Sequence, residues 1–241
     1  MSTVRREILS SPDQGTTRDA QVYEQIRELI VHGRLAPGTR IIETEVARRL
    51  DVSRTPVRSA LQRLQHEGYI VTTGSGRQLR PSVAPLTRED AWELFNIVGV
   101  IEGLASRQAA ALEPAARERL VKSLEAINQR LHNAIQPENL DRNLLFMLDT
   151  DFHHTYVAES AGPRLRILHD AIKPQAERYV RLYTSALWGE VEISVQEHKQ
   201  IIDAIAAGDE EGAQRAVQEN WRNAALRLNQ VIDTVGERGS W

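Results

Sequence analysis

Apolar residues along the chain repeat first at helical spacing, then briefly at strand spacing, then at helical spacing again, and each change of period marks a boundary. From Asp19 to about His32, Val22, Ile26, Leu29 and Ile30 share one face and Gly33 follows as a stop, which predicts a first helix. Val46, Ala47 and Leu50 define the inner face of a short second helix. Val57, Ala60, Leu61 and Leu64, spaced i, i+3, i+4, i+7, define that of a third. Asp51-Val52-Ser53 joins this pair. Ser53 is expected to cap the third helix by accepting a backbone N–H bond, and Pro56 falls in the first turn, where a missing N–H costs nothing. With the apolar stripe turned inward, Arg54, Thr55, Arg58, Ser59 and Gln62 face outward from the helix's N-terminal half.

After Gly68 the period falls to two. Tyr69 to Thr73 is β-branched and aromatic, Gly74-Ser75-Gly76 is a permissive turn, and Arg77 to Val83 returns with Pro81 tolerated near an edge. A small hairpin, or wing, is expected. Pro81 and Pro85 stiffen a short connector, beyond which helical spacing resumes. Thr87 with Asp90 resembles a capping box opening a helix through Ala91, Leu94, Phe95, Val98, Ile101 and Ala105 to about Leu112. Further helices follow from Pro114 with Leu120, Leu124, Ile127 and Leu131, over about Asp141 to Ser160, from Arg164 to about Leu187 with a kink at Pro174, from Glu190 to Ala207, and from Asp209 to about Val235. Breaks stand at Gln136-Pro137, Ala161-Gly162-Pro163, Trp188-Gly189 and Gly208-Asp209. Connections this short join antiparallel neighbours. The fold class is therefore mainly α: a winged helix-turn-helix over residues 18–83, a linker over 84–87, and an all-α antiparallel bundle over 88–235. A flexible tail (1–17) precedes them and a short one (236–241) follows.

At 241 residues and 41% hydrophobic content the chain suffices for one or two domains. The absence of cysteine excludes disulfides and thiolate metal sites and points to the cytoplasm. No apolar run approaches the roughly 18 residues of a membrane helix, so no membrane partner is expected. A net charge of -3 and a pI near 6.2 conceal a local imbalance. Between Arg54 and Arg80, arginines 54, 58, 63, 77 and 80 face Glu67 alone, the single-sign footprint of a surface that meets phosphates. In a helix-turn-helix the outward positions of the second helix reach base edges in the major groove. Double-stranded DNA is therefore the expected partner.

A second chemistry lies in the helical part. Asp149 and His153, at i and i+4, project from one helix face and can jointly hold a cation. His198 precedes Gly208, and Asn220 follows it, by about 15 and 18 Å of helix, so an antiparallel hairpin sets them side by side. Two readings fit these residues: ligands of a divalent metal, or hydrogen-bonded polar groups lining a cavity. His154 turns about 100° away and is placed outside the site. Arg178 and Arg181 are candidate anchors for a ligand, or else solvated charges. Trp92, Trp188 and Trp221 show no stacking arrangement for single strands and are assigned to bundle packing.

Residues Tyr23 to Val83 closely resemble the winged helix-turn-helix of GntR-family bacterial transcription regulators. The resemblance is carried by Gly33-Arg-Leu-Ala-Pro-Gly38, Val52-Ser-Arg-Thr-Pro-Val-Arg58, and Leu61-Gln-Arg-Leu64 ahead of Glu67-Gly68. The helical remainder is similar to the FCD ligand-binding domain of the FadR subfamily, through Asp149-Thr-Asp-Phe-His153 and through Glu197-His198 with the run to Gly208-Asp209. This resemblance implies a homodimer whose helical domain senses a small-molecule effector, an organic acid, and thereby changes operator affinity. It places Arg54 and Arg58 on bases or phosphates with Ser53 and Thr55 in support, and the wing tip, with Gly74, Gly76 and Arg77, in the minor groove. Thr44 stands where relatives carry a DNA-contacting arginine, and Val98 where they carry one that helps bind carboxylates. The resemblance further implies a metal site of one aspartate and three histidines, for zinc or nickel. Here Asp149, His153 and His198 match, and Asn220 replaces the fourth. Two other readings remain beside the regulator: a metal-dependent hydrolase using Asp149, His153 and His198, and an architectural DNA binder without effector.

Overall fold

The computed structural model describes residues 18–73, 80–135, 141–187 and 191–239. Helix α1 (Arg18–Val31) turns Val22, Tyr23, Ile26 and Ile30 inward. Against it lie α2 (Glu43–Arg49) and α3 (Arg54–His66), and the buried face of α3 holds Val57, Ala60, Leu61 and Leu64, as their spacing predicts. Asp51 in the α2–α3 connection takes a left-handed φ of 52°. Ser53 occupies the N-cap position of α3, but its side chain makes no cap bond, contrary to the sequence expectation. Its backbone is extended as a cap requires, yet the hydroxyl satisfies none of the helix's free N–H groups.

Strands β1 (Ile70–Thr73) and β2 (Arg80–Val83) pair antiparallel, with Ile70 opposite Val83 and Thr73 opposite Arg80. Pro81 fits in β2 because its carbonyl still accepts from Ile41 N–H at 2.8 Å, while no ladder bond is asked of its nitrogen. The hairpin tip, with Gly74, Gly76 and Arg77, lies outside the described residues.

Among the described residues six helices follow: α4 (Arg88–Ala110), α5 (Pro114–Ala134), α6 (Arg142–Ser160), α7 (Pro163–Leu187), α8 (Val191–Ala207) and α9 (Glu210–Val235). Thr87 caps α4 by accepting from Asp90 N–H, and Asp209 caps α9 by accepting from Gly212 N–H, directly after Gly208 at φ 70°. The helix α7 runs through Pro174. Its buried face and those of α4, α6, α8 and α9 share one apolar core, separate from the core of α1–α3 and the hairpin. Helix α4 packs along α9. A Cβ on Gly99 would stand 2.9 Å from Trp221 Cβ, and one on Gly103 3.1 Å from Gln218 Cγ, so these two glycines on one face of α4 admit α9. Each costs about 1 kcal/mol of helix propensity, which the close approach must offset.

The connector is held on both sides. Leu86 exchanges backbone hydrogen bonds with Arg238 at 2.8 and 3.1 Å, so the segment after α9 docks back onto it. Tyr179 accepts from Thr87 N–H and donates to Asp90, and Arg178 donates to the Ala84 carbonyl at 2.8 Å. Among the described residues, no helix is long and apolar enough to cross a membrane.

Candidate functional site

Two sites emerge, one exposed and one enclosed. On α3, Arg54, Thr55, Arg58, Ser59 and Gln62 are all exposed, and Thr44 is exposed on α2 beside them. The inward stripe of α3 fixes this orientation. Arg58 is engaged along one side by Glu43, with Nη2 at 3.0 Å from Oε2 and Nε at 3.3 Å from both carboxylate oxygens.

The enclosed site brings Asp149 and His153 of α6 together with His198 of α8, their ligand atoms within 4.8 Å of one another. His198 stacks on Phe152 at 3.9 Å with the rings 7° apart. Its Nδ1 lies 3.2 Å from the Asn128 amide oxygen, which takes the N–H and leaves Nε2 with a lone pair. That Nε2 is buried without a hydrogen-bond partner and stands 3.6 Å from Asp149 Oδ1. Burial, reinforced by His153 beside it, holds the His198 pKa well below its ordinary value, so the ring is neutral and able to ligate. His153 Nδ1 faces Glu102 Oε2 at 2.7 Å, which likewise directs its Nε2 away from the carboxylate. His154 is exposed, outside the cluster.

Glu102 is the residue that sequence reasoning missed. It is fully buried on α4, and its Oε2 also accepts from Tyr156 at 2.7 Å and Trp221 Nε1 at 2.8 Å. Its Oε1 faces His169 Nε2 at 3.0 Å and Lys173 Nζ at 3.4 Å. Burial alone would raise its pKa, but Lys173 and His153 prevail and hold it well below the usual carboxylate range. A signal existed in the sequence: Glu102 interrupts the apolar stripe of Val98, Ala105 and Ala109, and a charge there requires partners.

Beside the cluster opens a cavity of about 110 Å³, walled by Phe95, Phe146, Trp221 and Leu228 with Asp149, Ser194, Asn220 and Arg227 as polar groups. Asn220 therefore reaches the same cavity as Asp149, and its Nδ2 donates to Glu197 at 2.9 Å. Of the arginines expected as anchors, neither lines it. Arg178 is buried against the connector carbonyl of Ala84, and Arg181 lies with its guanidinium carbon 4.0 Å from the ring centroid of Phe146. The arginine of the cavity wall is Arg227, paired through both terminal nitrogens with Glu197 at 3.0 and 3.1 Å.

Comparison with known proteins identifies both regions. Residues 18–77 match the family of bacterial regulatory proteins of the gntR type, and residues 93–223 match the FCD domain. The chain belongs to the GntR family of transcriptional regulators. The regulator is 28% identical over 222 residues to the HTH-type transcriptional repressor RspR of Escherichia coli K12, covering 88% of this chain and 89% of that one. It is 29% identical over 202 residues to the "Probable D-xylose utilization operon transcriptional repressor" of Paenarthrobacter nicotinovorans, covering 84% of each. Among solved structures, E. coli McbR/YncC shares the fold with a TM-score of 0.65 at 20% identity over 88% of this chain and 97% of that one. Family and relatives are regulators rather than enzymes, which sets aside the hydrolase reading of Asp149, His153 and His198.

Proposed function

We propose that this regulator reads an operator in duplex DNA through α3, with Arg54 and Arg58 on bases or phosphates and Ser53, Thr55 and Thr44 in support, as a cytoplasmic homodimer. The resemblance assigns Gly74, Gly76 and Arg77, which lie outside the described residues, to the minor groove. The α4 face carrying Ile97, Val100 and Leu104, 38%, 51% and 40% exposed, supports the dimer as an apolar stripe open for a second copy. The effector is a small organic acid, bound in the cavity beside Asn220. The observation that carries the sensing role is the neutral, unpartnered Nε2 of His198 aimed at Asp149 in the wall of a largely apolar cavity.

The donor set fits a divalent metal such as zinc or nickel, held by Asp149, His153 and His198, and the metal's Lewis acidity would anchor an effector carboxylate. Glu102 and Asn128 fix the two imidazoles for that role by accepting hydrogen bonds from their Nδ1–H groups. Asn220, whose amide nitrogen is spent on Glu197, offers only its carbonyl oxygen, a poorer ligand than the imidazole of relatives. Operator control then follows if the effector binds one dimer arrangement more tightly than another.

The test uses an operator selected by the protein from a random duplex pool. Arg54→Ala and Arg58→Ala should each weaken its binding about tenfold or more at fixed salt. Zinc or nickel should raise the melting temperature of the parent and not of His153→Ala, and an organic acid from a metabolite panel should shift operator affinity in the parent but not in an Ala224→Trp variant that fills the cavity. Unaltered operator binding by both arginine variants refutes the reading helix. A protein indifferent to every metabolite would be an architectural DNA binder.

A further inference from the structure

A carboxylate on a surface that must approach phosphates lowers affinity, so the place of Glu43 on the reading face needs a reason. Glu43 opens α2, and its pairing with Arg58 spans the α2–α3 connection. The geometry is side-on: the carboxylate takes Nε and Nη2 and leaves Nη1 unengaged by it. A guanidinium held this way retains one N–H on Nη2 and both on Nη1, directed along its end. That end matches the O6 and N7 acceptors of guanine in the major groove. The same pairing neutralises the arginine toward phosphates, which carry no sequence information.

We propose that Glu43 is a specificity-determining residue of the regulator, one that orients Arg58 end-on toward guanine and withholds it from the DNA backbone. The inference rests on α3 being the reading helix. Removing Glu43 should therefore raise affinity for DNA in general while lowering discrimination, a pair of changes that loss of a merely structural tether does not produce.

The full chain, Glu43→Gln, Glu43→Ala, Arg58→Ala and the double variant Glu43→Ala/Arg58→Ala are titrated over a salt series. The duplexes are the selected operator, the same operator with each G·C pair replaced in turn, and a scrambled sequence. Both Glu43 variants should bind scrambled duplex several-fold tighter than the parent, with a salt slope steeper by about one, because Arg58 now meets a phosphate. The operator-to-scrambled ratio should fall about tenfold, and the G·C replacement most costly to the parent should lose most of its effect. In the Arg58→Ala background, Glu43→Ala should leave the ratio unchanged. A parental ratio and salt slope in both Glu43 variants overturns the proposal, and so does a uniform weakening on every duplex, which marks a structural role. Arg58→Ala binding the operator as the parent does would instead defeat the assignment of α3 itself.

Discussion

Two arginine–glutamate pairs show how differently the two halves of the regulator use the same chemistry. Arg58 and Glu43 meet with side chains 58% and 34% exposed, whereas Arg227 and Glu197 meet at 13% and 10%. Water solvates both partners of the first pair, so it adds little to stability while leaving the free end of Arg58 open. The second pair has little recourse to solvent. Breaking it strands a charge in the wall of the cavity, so α8 and α9 are kept in register around the binding space. The exposed pair aims a side chain, and the enclosed pair ties two helices together.

The largest blow to this contrast falls at Glu102. Glu102→Ala leaves His153, His169 and Lys173 facing an empty position and should cost about 3–5 kcal/mol in urea denaturation, the usual loss when one member of a buried ionic group is removed. A loss under about 1 kcal/mol would show that the interior tolerates exchange as the surface does. Arg227→Ala should cost less, about 2–3 kcal/mol, because Glu197 keeps the amides of Asn220 and Asn223 as donors. At the far end, Lys122→Ala breaks an exposed i, i+4 pair with Glu118, and its melting temperature should match that of the parent. A measurable drop there would erase the distinction between the two kinds of pair.

Much of this arrangement was legible in local sequence. The faces of α1 and α3, the caps at Thr87 and Asp209 and the break at Gly208 follow from spacing and backbone chemistry within a few residues. Asp149 and His153 were legible as an i, i+4 pair, whereas their meeting with His198 of α8 was implied by the family resemblance rather than by local spacing. What was not legible depends on which face of a long helix meets which neighbour. Arg178, Arg181 and Arg227 look alike in sequence, yet the cavity receives only Arg227, since α7 turns Arg178 to the connector. The partners of Glu102 come from α6, α7 and α9, and no local rule unites them. Ser53 shows the reverse failure, a favourable cap residue whose hydroxyl the fold does not use.

Pro174 gives α7 a division of labour. A proline cannot donate to the carbonyl four residues back, so the helix lacks its hydrogen bond to Asp170 O at this point. Upstream, His169 and Lys173 are moored to Glu102. Downstream, Val180 forms cavity wall while Arg178 and Tyr179 grip the connector, all within one helical turn. Any displacement of Val180 would therefore be felt first at Arg178 and Tyr179, and through them at the connector.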